Sequence, residues 1–271
     1  MYSLHESPRE YDGYFDKAAL DERDLHYWGE AHRAMYAAFV RLFLRPLKRK
    51  SAEAAQGHGR QSLLDAGCGL GFFLHFLATE APEWQARGVE TSPRAVRFAR
   101  QRLGLDCVWR GGLESAPFAP GTFDCLTLWD VLEHIGDPHP FLRRAAELLA
   151  PGGLLFLHTP NAEVQLAKAR LKRAIFGLRP GGHYLEARDH LNLYSPARLS
   201  ALLERHGFEA IRFVHLPPIQ SVSGARSRTL AALKTACALA AAGLHRASFG
   251  RLNLDNLFVA ARRAPREAGQ C

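Results

Sequence analysis

Apolar positions fall into two regimes along this 271-residue chain. Between Leu25 and Lys48, Trp28, Met35, Phe39, Leu42 and Phe43 recur at helical spacing and basic residues gather at the end, so the pattern predicts one helix. A polar arm containing Tyr11, Tyr14 and Phe15 precedes it, and a small, polar, Gly-containing linker from Lys50 to Gln61 follows. From Ser62 onward, short apolar runs alternate with helical patterns, as expected of βαβ units and a mostly parallel sheet. The runs predict strands at Ser62 to Asp65, Gln85 to Glu90, Asp106 to Trp109, Phe123 to Trp129, Leu154 to His158, Phe208 to His215 and Asn256 to Ala261. Helices are expected from Gly71 to Thr79, from Pro93 behind the N-cap Ser92, from Pro140 to Ala150 and from Pro196 to His206. Pro151-Gly152-Gly153 ends the third of these.

The expected organisation is an N-terminal arm and helix over residues 1–60, acting as a lid, and an α/β Rossmann-like domain over 61–271. Two connections, near 161–190 and 217–253, are too long for structureless loops and are expected to be helical insertions. Hydrophobic residues make up 47% and charged residues 23%, which excludes gross disorder. No run of about 18 uncharged apolar residues marks a membrane span, and the first residues lack a secretory pattern. Five scattered cysteines without a CxxC pair argue against a disulfide scaffold or a Cys-rich zinc site. The expected location is cytoplasmic. The net charge of +8 favours an acidic partner, and its excess is local. Val164 to Gly181 carries five basic residues and no acidic one, and Ala210 to Leu254 carries six and none.

The run Leu63-Leu64-Asp65-Ala66-Gly67-Cys68-Gly69-Leu70-Gly71 ends a strand and opens a helix. Glycines there let the backbone turn tightly and approach a ligand, and the helix N-terminus offers free N–H groups. Glu90 ends the next strand, where a carboxylate can accept hydrogen bonds from both ribose hydroxyls. The spacing is G-x-G-x-G, not the dinucleotide G-x-G-x-x-G. Asp65 would repel a pyrophosphate but suits a cationic amino-acid ligand, which points to S-adenosylmethionine rather than NAD.

With these residues, the segments GVETS (Gly88 to Ser92), GTFDCLTLWDVLEHIGDP (Gly121 to Pro138), LLAPGGLLFLHTPN (Leu148 to Asn161) and DHLNLYSP (Asp189 to Pro196) fall in order. The chain thereby resembles the class I S-adenosylmethionine-dependent methyltransferases, and most of all the branch of the ubiquinone-biosynthesis O-methyltransferases. The resemblance covers roughly Gln61 to Gly207, with Asn256 to Ala261 matching the family's final strand. It implies a seven-stranded sheet whose last strand is antiparallel. It places Asp65, Gly67, Cys68 and Gly69 along the methionine end of the cofactor, Glu90 at the ribose and Thr91 beside the adenosine. Gly112, Leu113 and Glu114 occupy the stretch that meets the adenine, although Gly111-Gly112 stands where many relatives carry an acidic residue. Trp129 lies at the methionine moiety, and Arg33 resembles an N-terminal arginine that pairs with the cofactor carboxylate.

Methyl transfer to oxygen needs alignment of the acceptor and removal of its proton, by a base or a bound metal ion. Asp130, Glu133 and His134 follow the fourth strand, and on a helical turn i, i+3 and i+4 share a face. Three readings of this cluster stay open. It holds a divalent ion such as Mg²⁺, with His190 completing the ligand set, as the resemblance implies; His134 acts as a metal-free base; or Glu133 and His134 only pair and cap the turn. Among the other histidines, His183 flanks the first insertion, whereas His139 and His158 sit in contexts that are mostly structural.

Val164 to Leu178 shows an apolar arc of Ala167, Leu171, Ala174, Ile175 and Leu178 with Lys168, Arg170, Lys172 and Arg173 outside it. A basic amphipathic helix suits an anionic membrane surface, and Leu230 to Leu244 would add to it. The expected acceptor is small or lipid-like, of quinone type on the resemblance. Two alternatives are a nucleic-acid 2′-O-methyltransferase and a non-catalytic S-adenosylmethionine-binding module. The basic segments lack the interleaved aromatic residues that stack on bases, which disfavours nucleic acid.

Overall fold

A computed structural model describes residues 22–47, 61–176, 190–217, 219, 228–248, 253 and 256–265. Tyr11, Tyr14, Phe15, Leu178 and His183 lie outside the described residues. The seven expected strands form one sheet: β1 Ser62–Ala66, β2 Gln85–Glu90, β3 Val108–Arg110, β4 Phe123–Trp129, β5 Leu149–Thr159, β6 Phe208–Val214 and β7 Leu257–Arg263. Their order is β3-β2-β1-β4-β5-β7-β6. The first five pair in parallel, and β7 runs antiparallel to both β5 and β6. The helices are α1 Glu22–Gly29, α2 Arg33–Phe39, α3 Phe72–Glu80, α4 Pro93–Leu103, α5 Pro138–Leu148, α6 Ala162–Phe176, α7 Pro196–Arg205 and α8 Arg228–Ala247. α6 and α8 lie in the two long connections.

Alternation along the strands feeds two cores. Leu64, Leu126, Leu128, Leu155, Leu157 and Val259 pack with Leu142, Leu148, Leu199 and Leu203 of α5 and α7. On the other face Leu63, Cys125, Phe156 and Ala260 pack with Met35, Phe39, Phe73 and Phe76 of α2 and α3. Such double-sided burial is why the central strands read as continuous apolar runs. Helix starts follow the capping residues. Ser92 Oγ accepts from Ala95 N at 3.2 Å, and Asp137 accepts from His139 N at 3.0 Å with Pro138 in the first turn. The Asp137 cap starts α5 two residues earlier than the periodicity suggests. Pairing of Leu149 with Phe123 then extends β5 through Pro151-Gly152-Gly153 with an irregularity in register.

The single helix expected from Leu25 to Lys48 is broken. α1 stops at Gly29, which faces the Phe72 ring, and Glu30 N and Ala31 N both return to His26 O. α2 then begins at Arg33 and continues as a π-helical turn, Val40–Leu44. The break turns His32 inward, where it stacks on Trp28 and Tyr36 and is almost wholly buried. The apolar arc read along α6 is also not its packed face. Ala167, Leu171 and Ala174 are exposed, and the helix buries Ala162, Gln165 and Ala169 instead. No helix among the described residues is long and apolar enough to cross a membrane. Cys68, Cys107 and Cys125 are free thiols.

Phe39 fastens α2 to the sheet. Its ring is fully buried and meets Phe73, Trp129 and Phe156, the last at 4.7 Å between centroids. Phe39→Ala should destabilise the fold by about 3–5 kcal/mol. Urea denaturation followed by Trp fluorescence checks this; a loss below about 1 kcal/mol would mean that α2 is not part of the cooperative core.

Candidate active site

Every polar group of the site lies at or just beyond the carboxyl edge of the parallel strands, where open α/β sheets bind ligands. At the end of β1 the chain turns through Gly67, Gly69 and Gly71, all at positive φ (76°, 54° and 84°), a region that L side chains enter at a cost. Gly67 N and Cys68 N both donate to Val89 O, which ties the turn to β2. Gly69 N donates to Glu90 Oε2 at 2.8 Å and Ser92 N to Oε1 at 2.7 Å. Each Glu90 oxygen keeps acceptor capacity for a ligand hydroxyl. Burial raises the Glu90 carboxyl above its usual range, against the opposing effect of these hydrogen bonds.

Asp65 is 2% exposed, and Thr127 Oγ1 donates to its Oδ1 at 2.7 Å. Burial pushes its carboxyl up to about 7; the Thr127 hydrogen bond opposes this and the Glu90 charge adds to it. Among the described residues no cation offsets this burial. Trp129, at the end of β4, packs among Tyr36, Phe39, Phe73 and Phe156, and its buried Nε1–H meets no acceptor among the described residues.

Asp65, Gly67, Cys68, Gly69, Glu90, Thr91, Gly112, Leu113, Glu114, Trp129, Asp130, His134 and His190 all line one cavity of about 440 Å³. That size suits a ligand of nucleoside dimensions. Its donor and acceptor set also fits S-adenosylmethionine: a carboxylate whose burial no cation among the described residues offsets, a carboxylate with free acceptor capacity at the next strand end, and an apolar side chain, Leu113, beyond it.

Two expected site residues depart from their expected roles: one lies outside the cavity, the other outside the ligand cluster. Arg33 is outside the cavity lining. Its guanidinium pairs with Glu80 Oε1 at 2.9 Å and lies over the Phe76 ring, because the break before α2 sends Arg33 outward as it sends His32 inward. Asp130 does not share a ligand face with Glu133 and His134. The helical turn assumed for the three begins too late, at Leu132, and Asp130 stands before it at φ 53°. Its Oδ1 lies 3.0 Å from His158 Nδ1. Burial raises the Asp130 carboxyl, but the charge and close contact of His158, with His32 and His134, outweigh that and hold it below the usual range.

The remaining cluster is Glu133, His134 and His190, whose ligand-type atoms lie within 4.8 Å of one another. Glu133 is buried, and Thr159 Oγ1 donates to its Oε2 at 2.9 Å. Its carbonyl accepts from Leu191 N and Asn192 N, which brings His190 to the turn, with its ring edge-on to His134 at 4.9 Å.

Periodicity gave no reason to select His158, Asn256, Gln165 or Tyr36, yet His158 contacts Asp130 and the other three line the cavity. The signal available for His158 was its position: a polar residue closing an apolar strand at the edge that also carries Asp65, Glu90 and Trp129.

Residues 27–212 match the family model described as a methyltransferase domain. The ubiquinone biosynthesis O-methyltransferase of Colwellia psychrerythraea is 27% identical over 184 residues, 64% of this chain and 72% of the relative. That of Xanthomonas euvesicatoria is 31% identical over 155 residues, 54% of this chain and 62% of the relative. The crystal structure of the CurJ carbon methyltransferase superposes with a TM-score of 0.54 at 16% identity, covering 89% of this chain and 57% of that one. The chain belongs to the methyltransferase-domain family, and with its class I fold it is an S-adenosylmethionine-dependent methyltransferase.

The Asp65 carboxyl, raised to about 7, sets a pH dependence. An ammonium ligand needs the ionised form, so affinity for S-adenosylhomocysteine should rise with pH through about 7. The fall from pH 8 to pH 5.5 should be roughly 30-fold. Calorimetric titration across this range checks it, and Asp65→Asn should bind weakly with a flat profile.

Proposed function

We propose that this enzyme transfers the methyl group to an oxygen of a small or lipid-like hydroxylated acceptor, with His134 taking the hydroxyl proton. The observation that carries the reading is the Glu133, His134 and His190 cluster, two of whose members line the same cavity as the cofactor-binding strand ends. S-adenosylmethionine supplies the activated methyl, so the protein has to align the acceptor, exclude water and receive a proton. The acceptor oxygen uses a lone pair to form the C–O bond, sulfur keeps the electrons of the broken C–S bond, and the hydroxyl proton passes to His134. Buried Glu133 and the neighbouring His190 ring restrict where that imidazole can sit. Tyr27, Trp28 and Tyr36 from the N-terminal helices line the cavity and shield it from solvent.

The same three side chains form a donor set for a divalent ion, which would polarise the acceptor oxygen when bound. Two imidazoles and one carboxylate suit Zn²⁺ or Fe²⁺ better than Mg²⁺, which prefers oxygen ligands, and Asp130, the expected second carboxylate, is not in that cluster. A lipid-like acceptor is supported by α6, which puts Gln165 in the cavity wall and exposes Leu171 between Arg170 and Arg173.

His134→Ala should retain S-adenosylhomocysteine binding and lose about 10²–10⁴-fold in turnover. The measurement is transfer of radiolabelled methyl to phenolic and catecholic acceptors; undiminished transfer would remove His134 from the chemistry. Treatment with EDTA should leave that transfer unchanged if His134 alone receives the proton, and abolish it if an ion is needed. Vesicles containing phosphatidylglycerol should retain the protein at low salt, and Arg170→Glu with Arg173→Glu should release it. Equal sedimentation of both proteins would exclude this surface as the route to a lipid.

A further inference from the structure

The cavity is divided along the sheet. The glycine turn, Glu90 and the 111–114 segment lie over β1, β2 and β3, where the cofactor's fit is found. Asp130, His158 and Asn256 lie over β4, β5 and β7, on the other side of Asp65. His158 is 1% exposed, and its ring stacks on Phe258 at 4.5 Å with 15° between planes, so it has no freedom to turn. Its Nδ1 is 3.0 Å from Asp130 Oδ1, and its Nε2 is 3.0 Å from Asn256 Nδ2. The Nδ1–Oδ1 contact is an electrostatic one and not an aligned hydrogen bond; because a carboxylate cannot donate, it favours the tautomer with hydrogen on Nδ1, and Nε2 then accepts from the Asn256 amide. The backbone closes the same unit, since Asp130 N donates to His158 O at 3.1 Å. Asp130 itself keeps 22% of its side-chain surface accessible and lines the cavity. Asp130 is one of two non-glycine residues at positive φ among the described residues, a conformation that aspartate adopts more readily than most.

We propose that Asn256 and His158 are positioning residues that lock Asp130 as a carboxylate facing the reacting end of the cavity, where it attracts the positive charge that methyl transfer carries from sulfur to the acceptor. A fixed carboxylate on the acceptor side stabilises that charge more as it moves than while it rests on sulfur. The role differs from metal ligation, because Asp130 stands outside the cluster of Glu133, His134 and His190. It rests on the methyltransferase class and not on the identity of the acceptor.

The test uses ligands in place of the acceptor. Sinefungin carries an amine-bearing carbon where the cofactor has its methyl sulfonium, so its ammonium probes the reacting end; S-adenosylhomocysteine has no charge there. Calorimetry should show the wild-type protein binding sinefungin at least ~10-fold more tightly than S-adenosylhomocysteine. In Asp130→Asn the ratio should fall to within about threefold with S-adenosylhomocysteine affinity kept. His158→Phe, which keeps a ring on Phe258, should do the same. Asn256→Leu, which cannot donate to Nε2, should lower the ratio. Independently of any variant, ¹⁵N chemical shifts of His158 in the wild-type protein should report hydrogen on Nδ1. A ratio unmoved by Asp130→Asn, or a ring protonated only on Nε2, overturns the proposal. Failure of the wild type to bind S-adenosylhomocysteine would overturn the cofactor assignment with it, a result distinct from either of these.

Discussion

The register between β1 and its two neighbours governs the site. Asp65 stands opposite Gly88 of β2 and opposite Thr127 of β4. That single alignment lets the Thr127 hydroxyl reach the Asp65 carboxylate, brings Glu90 to the glycine turn, and leaves Trp129 and Asp130 two and three residues beyond at the open edge. A slip of one residue would turn each of these side chains to the opposite face. The register is held by apolar side chains on both faces: Leu63 and Leu64 point into different cores, and neither can be moved to the other without emptying a packed position. The polar groups of the site therefore do not have to stabilise themselves. Their burial is tolerated because the sheet beneath them is fixed by packing.

That arrangement leaves the edge rich in acid. Asp65, Glu90, Asp130 and Glu133 all lie within a short span of strand ends, in a chain whose net charge is +8. Each carboxylate is treated differently. Glu90 is held by backbone N–H groups, Asp130 by an imidazole and Glu133 by a hydroxyl, while Asp65 has one hydroxyl and is pushed up by burial. Asp65, pushed up by burial and lining the cavity, is placed to receive a ligand cation. A cofactor with a fixed positive charge at one end and a neutral ribose at the other matches this gradient.

The N-terminal helices complete the enclosure by a different force. Tyr36, Phe39, Phe73, Trp129 and Phe156 form a continuous aromatic cluster that joins α2, α3 and the sheet. Because Trp129 belongs both to this cluster and to the cavity, the docking of α2 and the shape of the site are one packing problem. Burial and the break at Gly29 also select which residue of the Ala31-His32-Arg33 triplet faces inward. His32 goes in, with Nδ1 on Tyr27 O at 2.7 Å, and burial lowers its basicity.

Read alone, the sequence determined the seven strands, their alternation with helices, the glycine turn and the acid at the end of the next strand. These are encoded locally, by period, by capping residues such as Ser92 and by glycines at positive φ, so neighbours in the chain suffice to read them. It also placed helices in the two long connections. What it could not determine was which side chains meet across strands. Asp130 and Glu133 look equivalent at i and i+3, but the helical turn begins only at Leu132, and His158, 28 residues away in the chain, reaches Asp130 first because β4 and β5 are neighbours. Arg33 was misplaced for the same reason: helical period says which residues share a face, but only the surface that the helix packs against decides which face is buried.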